Sequence, residues 1–137
     1  MVRPIMKDPL FLSKKALPAT KADVPLALDL LETLGAYSDR CVGMAANMIG
    51  ENRSIIVFDN EEGGPQLMLN PVIVDRKQPY ETEEGCLSLP GERKTVRYER
   101  ITVSWQDLAF LPHKKDFEGF TAQIIQHEVD HLMGILI

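Results

Sequence analysis

The sequence predicts an α+β fold with one helix, several antiparallel strands and then a buried helix near the C-terminus. Three observations support this fold class: an amphipathic helical pattern early in the chain, several short β-branched and apolar segments in the middle, and a final helical pattern whose apolar positions spread around most of the helix. The chain has 137 residues and no internal repeat, low-complexity tract or long linker. We therefore expect a single domain over residues 1–137.

The first helix is predicted over residues 24–37, where apolar residues recur at the spacing of a helix with one buried face. Thr20 and Asp23 precede this segment and are candidate N-caps, because their side-chain oxygens can accept from free backbone N–H groups. This helix is expected to pack on the core.

Strands are predicted in the middle of the chain, where β-branched and apolar residues cluster or alternate. Residues 54–58 and 66–74 are expected to be neighbouring strands, joined by a turn at residues 61–65 that contains Gly and Pro. Residues 95–105 alternate as a half-buried strand does, and residues 117–120 are a shorter candidate. The short turn at residues 61–65 favours antiparallel pairing of the strands that it joins, and antiparallel β-structure is the natural inference for the segment.

The final helix is predicted over residues 122–133, with Thr121 as its candidate N-cap. Its apolar positions lie on several sides of the helix and are Ile124, Ile125, Val129 and Leu132. A helix with this distribution is mostly buried.

The composition is that of an ordinary soluble globular protein, with 45% hydrophobic and 26% charged residues. The net charge of -5 and the scattered Lys and Arg residues make nucleic acid a poor candidate partner. No apolar run reaches the ~20 residues needed to span a bilayer, and the N-terminus lacks a signal-peptide core, so we expect no membrane association and a cytoplasmic location. In a reducing compartment the two cysteines, Cys41 and Cys86, are expected to stay unpaired.

The strongest chemical signal is the H-E-x-x-H pattern at residues 127–131, inside the final predicted helix. Residues four apart lie on one face of a helix, so His127 and His131 would converge on one metal ion, and Glu128 would lie near the water that the ion activates. The alternative is a pair of hydrogen-bonded core histidines that bracket an acid by chance. Because the chain has only three histidines, we favour the metal site.

A catalytic metal site normally has three protein ligands and an open position, so a third ligand is required. Few residues follow His131, which directs the search upstream, and Cys86 is the best candidate. A lone cysteine is more often a small buried hydrophobe, but the histidine pair reverses that preference. Cys41 lies beside an apolar segment without a histidine nearby and is interpreted as structural.

Three stretches of the sequence together resemble the motifs of the peptide deformylase family. Residues 41–48 (CVGMAANM) are similar to its first motif, G-x-G-x-A-A-x-Q. Residues 84–88 (EGCLS) and 126–131 (QHEVDH) match its second motif, E-G-C-L-S, and its third, Q-H-E-x-D-H. The motifs occur in the family's order and span most of the chain, and the resemblance implies a mixed α+β fold with β-sheets around the metal-binding helix.

The resemblance implies a metal-dependent hydrolase of linear amides that removes the formyl group from N-formylmethionyl peptides or nascent chains. It implies one divalent ion held by Cys86, His127 and His131, namely Fe²⁺ in cells, with Zn²⁺, Ni²⁺ or Co²⁺ as substitutes. Glu128 would be the general base, and the backbone N–H of Leu87 would donate to the developing oxyanion. A thiolate with two imidazoles suits Fe²⁺ or Zn²⁺ on chemical grounds as well.

Other positions take their roles from the resemblance alone. Val42 and Gly43 resemble the segment that pairs with the substrate backbone, and Ile124 corresponds to the pocket for the methionine side chain. Apolar residues before a metal-binding helix are otherwise ordinary core. Arg97 resembles a position where an arginine pairs with the acid of the third motif, here Asp130, and so supports the metal ligands. The alternative for Arg97 is an exposed charge on a strand.

The first motif departs from the family pattern at both ends, with Cys41 in place of its first glycine and Met48 in place of its glutamine. In the family that glutamine donates a hydrogen bond to the oxyanion, whereas a thioether sulfur has no proton to donate. Loss of one such donor typically costs ~10²–10³ in kcat. The resemblance therefore implies a deformylase with reduced turnover.

Two other functions stay open. Met48 also fits a catalytically quiet relative that binds N-terminal methionyl peptides or senses metal or oxidant through its thiolate. A zinc peptidase would rest on H-E-x-x-H alone, and the E-G-C-L-S match argues against it. We also expect no C-terminal extension for docking on ribosomes, the route that some family members use.

Overall fold

A computed structural model describes residues 1–61 and 63–136. Its strands are β1 (Gly43–Ala45), β2 (Ile55–Asn60), β3 (Gly64–Cys86), β4 (Leu89–Gln106) and β5 (Pro112–Glu118). Its α-helices are α1 (Pro9–Leu12), α2 (Val24–Ala36) and α3 (Gly119–Leu132), and 3₁₀ turns cover Lys21–Asp23 and Ala46–Ile49. Within the described ranges the strands form one sheet in the order β1-β2-β3-β4-β5, and neighbouring strands are antiparallel. The α+β class with antiparallel β-structure is confirmed, as one sheet rather than several.

The helix predicted over residues 24–37 is confirmed as α2. Asp23 occupies its N-cap position but makes no side-chain cap hydrogen bond. The Asp23 carboxylate instead accepts from the backbone N–H of Thr20 at 2.8 Å, which closes the 3₁₀ turn in front of the helix. Both residues therefore stabilise the 3₁₀ turn that precedes α2 rather than the first turn of α2 itself.

The strand predicted over residues 54–58 is found as β2, which continues to Asn60. The turn predicted at residues 61–65 is shorter than expected, because β3 already begins at Gly64. Glu62, in the middle of that turn, lies outside the described residues.

Strands β3 and β4 form a hairpin far longer than the strands predicted over residues 66–74 and 95–105. The sequence pattern misses most of residues 75–94 because exposed and polar side chains predominate there, so no apolar face alternates along the chain. The backbones of β3 and β4 nevertheless remain paired through this region. At the tip Cys86 pairs with Leu89, which leaves a two-residue turn between the strands.

Helix α3 begins at Gly119, earlier than the predicted residue 122, and the strand predicted over residues 117–120 ends sooner, at Glu118. Gly119 has φ +63°, a left-handed conformation that glycine adopts readily, and this lets the chain pass from strand to helix without a loop. Thr121 consequently lies inside the first turn and is not the N-cap.

Helix α3 is buried along most of its length because it packs against β4, β1 and β2. Strand β2 shares its side chains between two cores, as alternation along a strand requires. Ile56 and Phe58 lie in the core with α3, while Ile55 and Val57 lie in the core with α2. In the described part of the chain, no helix has the length and apolar character needed to cross a membrane.

The C-terminal end of α3 is fixed by a glycine cap. Gly134 has φ +77°, and its N–H donates to the carbonyl of His131 at 3.1 Å. The N–H of Ala16 donates to the carbonyl of Leu132 at 2.8 Å, so the N-terminal segment packs directly on this end. A Cβ at position 134 would collide with the backbone carbonyl of Ser13.

We predict that Gly134→Ala lowers the free energy of unfolding by about 2–4 kcal/mol, because alanine is strained at positive φ and its Cβ overlaps backbone atoms. Gly35→Ala is the matched control, since Gly35 lies inside α2 and an added Cβ meets no atom within 4 Å. That change should leave stability unchanged or raise it by up to ~1 kcal/mol. Urea unfolding followed by circular dichroism measures both, and equal stability of Gly134→Ala and wild type would contradict the cap.

Candidate metal centre

The hairpin tip and helix α3 bring Cys86, His127 and His131 together. The Nε2 atoms of His127 and His131 are 3.1 Å apart, and Cys86 Sγ lies 3.3 Å from His131 Nε2. The ligand atoms of these three residues all lie within 4.8 Å of one another. The histidines come from successive turns of one helix, and the cysteine is the last residue of β3.

This spacing suits a tetrahedral metal site. Bonds of about 2.05 Å to nitrogen and about 2.3 Å to sulfur place ligand atoms roughly 3.3–3.6 Å apart along the edges of a tetrahedron. The separations of His131 Nε2 from His127 Nε2 and from Cys86 Sγ, 3.1 and 3.3 Å, are close to those edges. One thiolate and two imidazoles also match the ligand preference of Zn²⁺ and Fe²⁺ and leave a fourth position open.

A buried carboxylate orients one of the histidines. Glu84 Oε1 lies 2.8 Å from His127 Nδ1, and Glu84 also accepts from Arg97 Nη2 at 2.6 Å and from Gln123 Nε2 at 3.0 Å. Burial raises the pKa of the Glu84 carboxyl, but the hydrogen bonds from these three side chains outweigh it and lower the pKa to about 2. The ionised carboxylate favours a proton on His127 Nδ1 and leaves Nε2 free to bind a metal.

Sequence reasoning did not single out Glu84 as a site residue, because a glutamate on a polar strand is ordinarily exposed. A signal was nevertheless present. Side chains two apart on a strand share a face, so a cysteine ligand at position 86 places residue 84 on the same side of the hairpin.

Arg97 connects the hairpin to α3. Its Nη1 donates to Asp130 Oδ2 at 2.6 Å, which is the ion pair expected from the sequence, and its side chain is only 4% exposed. Arg97 is therefore a buried cation between two carboxylates and not an exposed strand charge. Gln126 adds a second connection, because its amide exchanges two 2.8 Å hydrogen bonds with the backbone of Tyr98 on β4.

Glu128 lies buried against strand β1. Its Oε1 has no hydrogen-bond partner among the described residues. A Cβ at Gly43 would lie 2.8 Å from both Glu128 Oε2 and Ile124 Cγ2, so a glycine is needed for this close approach. Burial raises the pKa of Glu128 to about 7, which suits proton transfer near neutrality.

The two histidines differ in their electrostatic surroundings. Burial lowers the pKa of His131 to about 3 and so favours the neutral imidazole that a metal requires. Burial also acts to lower the pKa of His127, but hydrogen bonds with Cys86 and Glu84 raise it to about 10. The negative charge of Glu84, 2.8 Å from His127 Nδ1, also favours a cation bound at Nε2 of the same ring.

A cavity of about 940 Å³ opens in front of these groups. Its lining includes Cys86, His127 and Glu128. It also includes the residues expected to meet substrate, which are Val42, Gly43, Leu87 and Ile124. Strand β1 is an edge of the described sheet and pairs with β2 on one side, so its other side can accept an extended peptide.

The two departures in the first motif lie in different places. Met48 is buried in the core shared with α2, where its Sδ accepts from the N–H of Ala45 at 3.5 Å. Cys41 lines the cavity, and its thiol donates to the carbonyl of Gly43 at 2.8 Å. Burial raises the pKa of Cys41 to about 12, so this thiol stays protonated.

Comparisons with known proteins agree with this geometry. The sequence pattern of the polypeptide deformylase family matches residues 2–137. A peptide deformylase from Clostridium beijerinckii is 54% identical over 138 residues, covering 100% of both chains. The crystal structure of a peptide deformylase from Legionella pneumophila matches with a TM-score of 0.88 at 36% identity, covering 99% of this chain and 83% of the other. A Met-Ala-Ser-bound class I type b peptide deformylase from Acinetobacter baumannii also has a TM-score of 0.88, at 29% identity over 99% and 97% of the chains.

We predict that Glu84→Gln weakens Zn²⁺ binding by about 10- to 100-fold, because the amide is a weaker partner for His127 Nδ1 than the carboxylate. Glu81→Gln, at an exposed position of the same strand, is the matched control and should retain the affinity of the wild type. Competition with a chromogenic chelator measures both, on protein shown to be folded. Wild-type affinity in the Glu84 variant would exclude a supporting role for this carboxylate.

Proposed function

This chain belongs to the polypeptide deformylase family, and we propose that it hydrolyses the formyl group from N-formylmethionyl peptides of newly made proteins. The observation that carries the proposal is the convergence of Cys86, His127 and His131 beside a cavity that Glu128 also lines. Those side chains supply a metal ligand set and a carboxylate for proton transfer, which are the parts that amide hydrolysis at a metal site requires.

In this proposal Cys86, His127 and His131 hold one divalent ion. Fe²⁺ is the proposed ion in cells, and Zn²⁺, Ni²⁺ and Co²⁺ can take its place because they accept the same nitrogen and sulfur ligands. When bound, the ion supplies Lewis acidity toward water and toward the formyl carbonyl.

Glu128 moves the proton in the proposed reaction. Its buried Oε1 makes no hydrogen bond with the described residues, so the carboxylate can accept the proton of the attacking water and deliver it to the departing amine nitrogen. The water oxygen bonds to the formyl carbon, the carbon–nitrogen bond breaks, and formate and the peptide amine leave. The N–H of Leu87, in the turn of the hairpin, donates to the formyl oxygen as that atom gains negative charge.

The substrate would lie along strand β1. Val42 and Gly43 offer backbone groups for pairing with an extended peptide, and Ile124 gives the methionine side chain an apolar wall. The Acinetobacter baumannii relative binds Met-Ala-Ser, which is formyl-Met-Ala-Ser without its formyl group. Formyl-Met-Ala-Ser is therefore a suitable test substrate.

Release of formate from formyl-Met-Ala-Ser by anaerobically purified, metal-analysed protein tests the function, and we predict that it occurs. Unmodified Met-Ala-Ser should not be cleaved. Appearance of free methionine would instead indicate a peptidase. Tight binding of methionyl peptides without formate release would identify a catalytically quiet relative.

We predict that Glu128→Gln retains the metal and loses hydrolysis by about 10²- to 10⁴-fold, because an amide can hydrogen-bond water but cannot accept its proton. Metal content and kcat are measured on the same preparation, with Glu81→Gln as a fully active control. Undiminished kcat in the metal-loaded Glu128 variant would rule out this residue as the general base.

Met48 bears on the rate of the proposed reaction. In the family pattern this position carries a glutamine, whose amide can donate to the oxyanion, and methionine cannot. The buried Sδ of Met48 already accepts from the N–H of Ala45. A glutamine oxygen could take over that hydrogen bond, which would leave its NH₂ group as an additional donor.

We predict that Met48→Gln raises kcat/KM on formyl-Met-Ala-Ser by roughly tenfold to several hundredfold, with little change in metal affinity. Met48→Leu is the control, because leucine also lacks a donor and should leave turnover near that of the wild type. Steady-state kinetics on folded, metal-loaded proteins compare the three. Equal rates for Met48→Gln and wild type would refute the missing-donor explanation.

A further inference from the structure

We propose that Asn47 positions the metal ligand His131 by accepting a hydrogen bond from its Nδ1–H, directly or through one water molecule. This inference rests on the metal site proposed above, and it gives a role to a residue that carries no assigned chemistry in the first motif. Asn47 would be a positioning residue, since it acts on the metal only through the imidazole.

Asn47 is held against the end of helix α3. It is 0% exposed, it lies in the 3₁₀ turn Ala46–Ile49, and its Nδ2 donates to the carbonyl of His131 at 2.8 Å. This hydrogen bond sets the orientation of the amide and identifies Oδ1 as the acceptor atom. Oδ1 is buried and has no partner among the described residues.

His131 presents the complementary atom. Its Nε2 faces the other two ligands, at 3.1 Å from His127 Nε2 and 3.3 Å from Cys86 Sγ. Its Nδ1 is buried, again without a partner in the part of the chain that the structure describes. An imidazole that binds a metal through Nε2 carries its proton on Nδ1, so Nδ1 becomes a buried donor that requires an acceptor.

The amide oxygen of Asn47 is well suited to be that acceptor. It belongs to the side chain that already binds the backbone of His131, so ring and carbonyl would be held by the same amide. The nearest acid in sequence, Asp130, is engaged by Arg97 at 2.6 Å. An unpaired buried acceptor and an unpaired buried donor are each costly, and joining them removes both costs.

The other histidine provides the comparison. His127 Nδ1 has a carboxylate partner in Glu84 at 2.8 Å, whereas His131 would have a neutral amide. Metal-ligating histidines generally make such a hydrogen bond through the second ring nitrogen, which fixes the tautomer and the ring orientation. With Asn47 in this role, both imidazoles of the site are oriented by partners from outside α3.

The wild-type protein tests the contact without any substitution. In the Zn²⁺-loaded protein, we expect long-range ¹H–¹⁵N spectra to show a proton on His131 Nδ1 that exchanges slowly with water. A crystal structure of the same form should place Asn47 Oδ1 within hydrogen-bond distance of Nδ1 or of one water that bridges them. A different acceptor on Nδ1 would overturn the proposal.

Asn47→Ala then measures the consequence, with Asn52→Ala as its matched control. Asn52 makes the same kind of contact with the N-terminal segment instead of with α3, since its Nδ2 donates to the carbonyl of Lys15 at 3.1 Å and its buried Oδ1 has no partner among the described residues. We expect Asn47→Ala to weaken Zn²⁺ binding by about 10- to 100-fold and to speed exchange of the His131 Nδ1 proton. The Asn52 variant should leave Zn²⁺ affinity and that proton unchanged.

The outcomes separate this inference from the proposed function. If folded Asn47→Ala binds Zn²⁺ as tightly as the wild type, Asn47 makes only a structural contact. That result would overturn the inference and leave the metal site standing. Failure of the wild type to bind Zn²⁺ would overturn both. Weakened binding with an unchanged signal from the His127 Nδ1 proton would support the specific link to His131.

Discussion

The ionic network that joins buried Glu84 and Arg97 to half-buried Asp130 is the interaction on which the geometry of the site depends. Its members come from β3, β4 and α3, so the network joins both arms of the hairpin to the helix. Buried charges are tolerated only when they are paired and hydrogen-bonded, and loss of one partner leaves the others uncompensated. A one-residue slip of the hairpin would turn its charges to the opposite face, so the network also selects the register that places Cys86 at the tip.

Helix α3 is held at both ends as well as along its sides. Gly119 starts it directly from β5, and Gly134 closes its last turn against the N-terminal segment. Gly43 allows β1 to approach Glu128 closely. The polar groups of the site are therefore positioned by the packing of backbone elements, and such preorganisation is what metal binding and proton transfer both require.

Local patterns were predictable from the sequence, and long-range partnerships were not. Helix α2 and the pairing of His127 with His131 follow from spacing within a few residues. The full length of the β3–β4 hairpin was not predicted, because most side chains on its outer part are polar and exposed and show no alternating apolar pattern. Glu84 escaped because its burial depends on residues 13 and 43 positions away, and Asn47 contacts a residue 84 positions away. The roles carried over for Leu87, Val42 and Ile124 stay predictions, although all three line the cavity.

The wide separation of the ligands in the sequence gives a bound ion a second effect, as a reversible cross-link. Cys86 and His131 are 45 residues apart, so an ion held by both closes a long loop of the chain. The unfolded chain has no preformed site, and the free energy of metal binding therefore adds directly to the free energy of folding. Resistance of this protein to unfolding and to proteolysis should consequently follow the supply of metal in its surroundings.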